Sequence, residues 1–367
     1  MKFDQHRKLS PCDEKDLLEG LQIVFRNGLH SEKASLASFF DGRRVLMTGG
    51  TGFFGKWMTQ ALCLLRDHAG SQHQLILWTR DVKATLRACP WLVERSEISW
   101  FEGDIREKFP ATIPFDSVIH GATAASAALN EANPVEMFDV IVEGTRNVLA
   151  ACRERKVKDI LFISSGGIYG KQPLEMTHIP ESYTGAHPTF LAGSAYGIGK
   201  TSAEFLSSCY AREMNARVLL ARCFAFVGPY LPLDTHFAVG NFMRDVLEKK
   251  DIQIGGDGTP YRSFLYGSDL VLWLFRILQA GQSLQPYHIG SEDGFSIEEI
   301  ARKVAAIGEE VTGHRAQVRI AKKPTAGIAP PRFVPSTLQT RESLGLKVQV
   351  DFDEGVRKTL LWHLGRA

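Results

Sequence analysis

No run of about 18 consecutive apolar residues occurs anywhere in the chain, so nothing in it reads as a membrane-spanning helix. The amino terminus, Met1-Lys-Phe-Asp-Gln-His-Arg-Lys, leads into charged sequence and lacks the apolar core of a secretory signal. An excess of one charge is missing too: 43 Lys and Arg against 41 Asp and Glu leave a formal net charge of +2. With no basic block and no basic amphipathic run, no nucleic-acid or anionic-membrane partner is expected. The six cysteines (Cys12, Cys63, Cys89, Cys152, Cys209 and Cys223) are spread widely. They form no Cys-x-x-Cys pair and no Cys/His spacing suited to zinc, which predicts reduced core thiols and no metal centre. Internal repeats and low-complexity segments are also absent. These exclusions leave a soluble cytoplasmic protein as the expectation.

What the chain does contain is ordinary globular material, 367 residues of which 44% are hydrophobic and 23% charged. Residues 1–42 precede the first strand-like run and carry a helical pattern at Leu17, Leu18, Leu21 and Val24/Phe25. Apolar runs then recur at Arg43–Thr48, Gln74–Trp78, Ser117–His120, Ile160–Ser164 and Val218–Arg222. Helical patterns separate them, including Lys56–Leu65, Val135–Arg155 and Ala195–Met214. Such alternation predicts an α/β fold, a doubly wound parallel sheet of Rossmann type covered on both faces. Beyond about Phe226 the sequence turns richer in Pro and Gly, which predicts a smaller C-terminal α/β substrate lobe. The expected divisions are a helical extension over 1–42, a dinucleotide-binding domain over 43–225, and a substrate lobe over 226–367, interleaved with the sheet.

Strand, glycine turn and helix follow one another at Thr48-Gly-Gly-Thr-Gly-Phe-Phe-Gly55. Gly49, Gly52 and Gly55 meet three separate needs: a tight turn, close backbone approach to a pyrophosphate, and close strand–helix packing. Phe53 and Phe54 open the helix, whose amide end faces the phosphates. Near the end of the second strand, Arg80 suits a 2′-phosphate and Asp81 a ribose 2′-hydroxyl, so NAD and NADP both remain open. Asp104 is a candidate adenine contact, with a simple turn aspartate as the competing reading. Farther on, Tyr196 and Lys200 stand four residues apart. On a helix that spacing puts them on one face, about 5–6 Å apart at Cβ, where an ammonium biases a phenol toward phenolate.

Taken together, Thr48–Gly55, Ser164-Ser-Gly-Gly-Ile-Tyr-Gly170, Tyr196-Gly-Ile-Gly-Lys200 and Arg222-Cys-Phe-Ala-Phe-Val-Gly-Pro229 resemble the extended short-chain dehydrogenase/reductases. Within that group the chain looks like the NAD-dependent epimerase/dehydratase family, which modifies nucleotide sugars, over about Arg43 to Ser296. The resemblance implies that Ser165 hydrogen-bonds the reacting hydroxyl or carbonyl, with Ser164 as the alternative register. It implies that Tyr196 is the general acid/base, and that Lys200 holds the nicotinamide ribose and lowers the tyrosine pKa. Tyr169 reads as a packing or wall residue. Gly166 and Gly167 stand where the dehydratase and decarboxylase branches carry carboxylates, which disfavours elimination. Ile141 and Ala225 replace two asparagines of the family pattern, which suits a more apolar substrate such as a deoxy sugar.

In the C-terminal part, Arg262 resembles the arginine that meets the nucleotide diphosphate, against a salt bridge to Asp257 or Asp269 as the competing reading. Asn241 and Phe242 are candidates for the base, with core or capping roles as the competing reading, and Thr123 or Ser126 for the sugar. Asp234 and His236 border the sugar in the same picture. The first expectation is therefore a nucleotide-sugar epimerase acting at C4 through a transient 4-keto sugar and a bound nicotinamide, with NAD as cofactor. An NADPH-dependent 4-keto-(deoxy)sugar reductase is second, motivated by Arg80, and a non-catalytic dinucleotide-sensing protein is third. The family likeness also implies a homodimer built on the helices at 135–155 and 195–214.

Overall fold

A computed structural model of the protein describes residues 36–123, 127–234, 237–327 and 329–365. The helical pattern expected between Leu17 and Phe25, together with Ser126 and His236, lies outside the described residues. A short helix, α1 (Leu36–Phe40), leads into β1 (Arg44–Thr48), and the glycine turn then opens α2 (Phe53–Ala69). Next come β2 (Gln74–Thr79), α3 (Val82–Ala88), β3 (Ile98–Glu102), β4 (Ser117–His120), α4 (Ala127–Ala132) and α5 (Pro134–Arg155). β5 (Asp159–Ser165), α6 (Ala195–Met214) and β6 (Arg217–Cys223) follow. The remainder runs through β7 (Phe226–Val227), α7 (Ala238–Leu247), β8 (Ile252–Ile254), β9 (Tyr261–Arg262), β10 (Leu265–Tyr266) and α8 (Gly267–Ala280). It ends with β11 (Pro286–Ile289), β12 (Phe295–Ser296), α9 (Ile297–Thr312), β13 (Val318–Ile320), β14 (Arg332–Phe333), α10 (Leu338–Leu344) and α11 (Phe352–Leu364).

Seven strands form one sheet in the order β11-β6-β5-β4-β1-β2-β3, with every neighbouring pair parallel. Parallel strands joined by helical crossovers are covered on both faces, which is why β1 and β4 are buried almost end to end. Successive side chains of a strand point to opposite faces. Accordingly Val45 and Met47 pack with Trp57 and Leu62 in one core, whereas Leu46 packs with Ile141 and Val148 in the other. The helix ends follow local chemistry. Asn133 accepts a hydrogen bond from the Glu136 amide with Pro134 in the first turn of α5, and Gly70 (φ 70°) ends α2 in a left-handed residue.

The seventh strand, β11, comes from the C-terminal third, so that part of the chain supplies both sheet and lobe. Its other strands make three small sheets, β7 with β10, β8 with β13, and β12-β9-β14. Trp57 on α2 ties the two parts together. It is fully buried, its indole N–H donates to the Pro229 carbonyl at 2.9 Å, and its ring meets Tyr266 edge-on at 5.5 Å. A Cβ on Gly267 would lie 2.2 Å from that ring, so glycine there is what lets α8 approach. Trp57→Ala is expected to cost about 3–5 kcal/mol in a urea denaturation, the usual cost of emptying an indole site, with Trp57→Phe losing clearly less.

Candidate active site

In the sheet order the chain moves outward from β1 through β2 to β3, then returns to β4 on the other side of β1. Helices therefore leave the neighbouring tips of β1 and β4 in opposite directions, and a crevice opens there. Buried polar groups close its floor. Thr48 Oγ1 donates to His120 Nδ1 (2.7 Å) and accepts from the amides of Gly121 (3.2 Å) and Ala122 (3.1 Å). His120 Nε2 donates to Thr145 Oγ1 (3.0 Å), whose hydroxyl in turn donates to the Ile141 carbonyl (2.6 Å). Above this floor the backbones crowd. Gly49 has φ +74°, and a Cβ there would lie 2.7 Å from the Gly121 carbonyl carbon. One on Gly55 would lie 2.3 Å from the backbone of Gly50.

The resulting cleft has a volume of about 780 Å³ and takes in Gly49, Gly52, Phe53, Phe54, Arg80, Asp104, Thr123, Ser165, Tyr196 and Lys200. Gly55 stands behind the turn, in its packing role. Three features of this end fit a dinucleotide. Gly52 caps α2 without any side-chain hydrogen bond, which leaves first-turn amides for an anion. The glycine cradle admits no side chain, and the buried Thr123 hydroxyl has no partner among the described residues. At the tip of β2, Asp81 is occupied as the N-cap of α3, accepting from the Ala84 amide at 2.7 Å, while Arg80 lines the cleft. Asp104 is gripped by both arms of Arg106 at 2.9 Å, and this, with Arg80 nearby, holds its carboxyl at about 2.

At the reacting end, Ser165 closes β5 and its Oγ accepts the Gly167 amide at 3.0 Å. Ser164, the alternative register, donates to Glu204 at 2.5 Å. The start of α6 is pinned by Asn130, which accepts the Tyr196 amide (3.0 Å) and donates to the Gly193 carbonyl (2.7 Å). Lys200 is 2% exposed and donates to the Ile163 carbonyl at 2.9 Å, and burial lowers its pKa to about 8. Burial raises the Tyr196 phenol, against which a hydrogen bond with Ser165 pulls it down. Lys200 is not among the groups that move the Tyr196 phenol here: desolvation dominates both residues, and the ammonium is spent on a carbonyl.

Tyr169 is a packing residue, buried behind the cleft wall. Its buried phenol accepts from Arg222 and donates to His288, each at 2.6 Å, and Arg222 in turn forks onto Glu204 of α6 at 3.0 and 2.7 Å. The sugar half of the cleft is mostly apolar, with Phe224, Ala225, Phe226, Leu231, Phe264 and Phe333 on its walls. A Cβ on Gly166 would lie 2.7 Å from the Phe224 ring, so glycine there is what admits that aromatic wall, while one on Gly167 would lie 3.1 Å from the Tyr196 ring. Ile141 is buried beneath Gly199, away from the cleft.

Asn241, Phe242 and Arg262 are not brought to the wall. α7 turns Val239, Phe242, Met243 and Val246 inward at helical spacing, which puts Phe242 in the core, while Asn241 accepts from Arg244 at 3.3 Å. Arg262 pairs with neither candidate aspartate. It donates to the Tyr261 carbonyl (2.7 Å) and lies 6.0 Å over Phe333, one step behind the wall. Asp234 is exposed. Sequence reasoning missed Asn130, His187, Phe224 and Phe333 as cleft residues, because each arrives there through contacts distant in sequence.

Burial holds His120 and His288 down to about 3 and His73 to about 4. These folded-state values lie below the unfolded value of about 6.5, so the unfolded chain binds more protons and stability falls as pH drops from about 6.5 toward 4. Urea unfolding between pH 7 and 4.5 is expected to show this loss, up to about 1.4 kcal/mol per pH unit for each histidine, with a shallower slope in His120→Asn.

The chain is similar to known proteins over most of its length. Over 346 residues the chain is 28% identical to UDP-glucuronic acid decarboxylase 2 of Arabidopsis thaliana, covering 94% of this chain and 74% of that protein. Its fold superposes on UDP-glucose 4-epimerase of Thermotoga maritima, solved with UDP-glucose, with a TM-score of 0.74 at 22% identity, covering 88% and 99% of the two chains. UDP-glucose 4-epimerase of Thermus thermophilus, solved with NAD, gives 0.72 at 25% identity, covering 88% and 100%. Among the described residues no helix is long and apolar enough to cross a membrane. Residues 45–290, more than half of the 367, match the sequence model of the NAD dependent epimerase/dehydratase family, and the chain belongs to that family of extended short-chain dehydrogenase/reductase enzymes.

Proposed function

We propose that the protein interconverts epimers of a nucleotide-linked sugar, at C4, by reversible oxidation of a ring hydroxyl. The observation that carries this reading is the meeting of Ser165, Tyr196 and Lys200 on the wall of the cleft that begins at the glycine turn, with glycine at 166 and 167. A side chain able to move a carbon-bound proton or to steer a carboxylate is missing from those two positions. That separates the reading from the decarboxylase activity named for the Arabidopsis relative.

Gly49, Gly52 and the open amides of α2 would hold the pyrophosphate of a dinucleotide, Asp104 or Arg80 its adenosine, and Lys200 its nicotinamide ribose. The nicotinamide supplies the acceptor and donor of hydride, so that a 4-keto sugar is formed and reduced again. Tyr196 takes the hydroxyl proton and gives it back, and Ser165 holds the same oxygen through a hydrogen bond. The Phe-rich walls exclude water and suit a sugar with few hydroxyls, such as a deoxy sugar. Subunit contact falls on α5 and α6, which pack side by side and expose Val135 (68%) and Phe205 (67%).

A second reading, net reduction of a nucleotide-linked 4-keto sugar by NADPH, is favoured by Arg80 in the cleft while Asp81 is committed to its helix. A non-catalytic binding protein is disfavoured because it has no use for the Ser/Tyr/Lys set. The purified protein is to be incubated with UDP-glucose, UDP-galactose, dTDP-glucose and UDP-glucuronic acid, with and without NADPH. Interconversion without net consumption of cofactor is the expected result, and stoichiometric loss of NADPH would replace the first reading by the second. Tyr196→Phe is expected to lower turnover about 10²–10⁴-fold while dinucleotide binding persists. If Arg80 meets a 2′-phosphate, Arg80→Ala will weaken NADP binding about tenfold or more, and NAD binding hardly at all, in a fluorescence titration.

A further inference from the structure

One imidazole occupies the space that Gly197 leaves beside Tyr196. A Cβ on Gly197, the residue after Tyr196, would lie 1.9 Å from His187 Nε2. The same nitrogen hydrogen-bonds the carbonyl of Gly167, and the half-buried ring lines the cleft that holds Ser165 and Tyr196. Gly170 (φ +67°) turns the chain against Ala186, which seats this loop. A carbonyl can only accept, so Nε2 carries the proton, and in the neutral ring Nδ1 is then an acceptor. No residue among those described hydrogen-bonds Nδ1.

Besides the Thr123 hydroxyl, the walls offer little else of that kind. Phe224, Ala225, Phe226 and Phe333 present no side-chain acceptor, the Ser165 hydroxyl is tied to Tyr196 and the Gly167 amide, and Lys200 only donates. A sugar hydroxyl taken from water into such a cleft loses stability unless an acceptor meets it. We infer that His187 is a substrate-contacting residue, its Nδ1 accepting a hydrogen bond from one hydroxyl of the bound sugar while Nε2 anchors the ring to Gly167. The inference rests on the nucleotide-sugar reading above.

The test separates the two nitrogens. In His187→Gln the amide nitrogen replaces the Nε2 donor toward Gly167 and the Nδ1 acceptor is lost, whereas His187→Asn supplies an amide oxygen near the Nδ1 position. Calorimetric titration of the full chain with UDP-glucose and its 3-, 4- and 6-deoxy analogues is expected to show about tenfold weaker binding to His187→Gln, the worth of one hydrogen bond. NAD affinity and thermal midpoint should be unchanged, and His187→Asn should recover part of the loss. In the wild type one deoxy analogue should lose the same factor, and in His187→Gln that analogue should lose nothing further, as expected for two halves of one contact. Wild-type binding by His187→Gln, or an equal loss for every analogue, would overturn the assignment while leaving the proposed function standing. Failure of the wild type to bind UDP-glucose, dTDP-glucose or UDP-glucuronic acid would take both down.

Discussion

Reversal of strand order between β1 and β4 is the constraint on which the cleft depends, and a buried run of hydrogen bonds fixes it. Thr48 and His120 face each other across the paired strands, and their side chains join where the two backbones begin to diverge. Because Thr145 donates its own hydroxyl proton to a helical carbonyl, His120 must donate from Nε2 and accept at Nδ1. Every group in the run is therefore satisfied only with a neutral imidazole, the state that burial also enforces. The run ends in α5, so the floor of the cleft and one wall of the fold are set by the same few bonds.

A second buried network sets the rotation of α6. Arg222 on β6 reaches Glu204, one turn beyond Lys200, and Glu204 also holds Ser164, the neighbour of Ser165. Desolvating such a pair cancels much of its Coulomb attraction, so its value to stability is small. Its geometric value is larger, because a forked guanidinium tolerates little rotation of the helix that carries its partner. Tyr196, Lys200 and Glu204 stand at successive i+4 positions, and fixing the last of them fixes how the first two enter the cleft. From Arg222 the network continues through Tyr169 to His288 and the Ser336 carbonyl, joining the site to the C-terminal part of the chain.

What could be read in the sequence was what is local. The glycine turn, the apolar runs and the span Ala195–Met214 are periodic or contiguous, and the structure repeats them almost residue for residue. β11 escaped because four residues, Pro286–Ile289, carry no period and become a central-sheet strand only by pairing with β6. Asn130 and His187 escaped for a related reason. An asparagine in a short helix and a histidine in a loop acquire their roles from Gly193, Tyr196 and Gly167, which only the fold brings near. Conversely, Asn241 and Phe242 looked available in a Gly-containing stretch, although the amphipathic spacing of α7 already assigned Phe242 to the core.

The charges at the reacting end are best understood as a pair. Burial alone raises the Tyr196 phenol and lowers the Lys200 ammonium, so each group by itself is pressed toward its neutral form. The two ionised forms carry opposite signs, however, and in a site that excludes water their attraction grows as the screening falls. Phenolate and ammonium are therefore each disfavoured alone, and would favour each other only if brought close. Lys200 here donates its hydrogen bond to the carbonyl of Ile163, the last interior residue of the strand that ends in Ser164 and Ser165. A ligand that drew the ammonium away from that carbonyl and toward the phenol would lower the cost of ionising Tyr196 at the moment of occupancy. The burial that suppresses idle ionisation of each group is in this sense what would make the two responsive to a bound molecule.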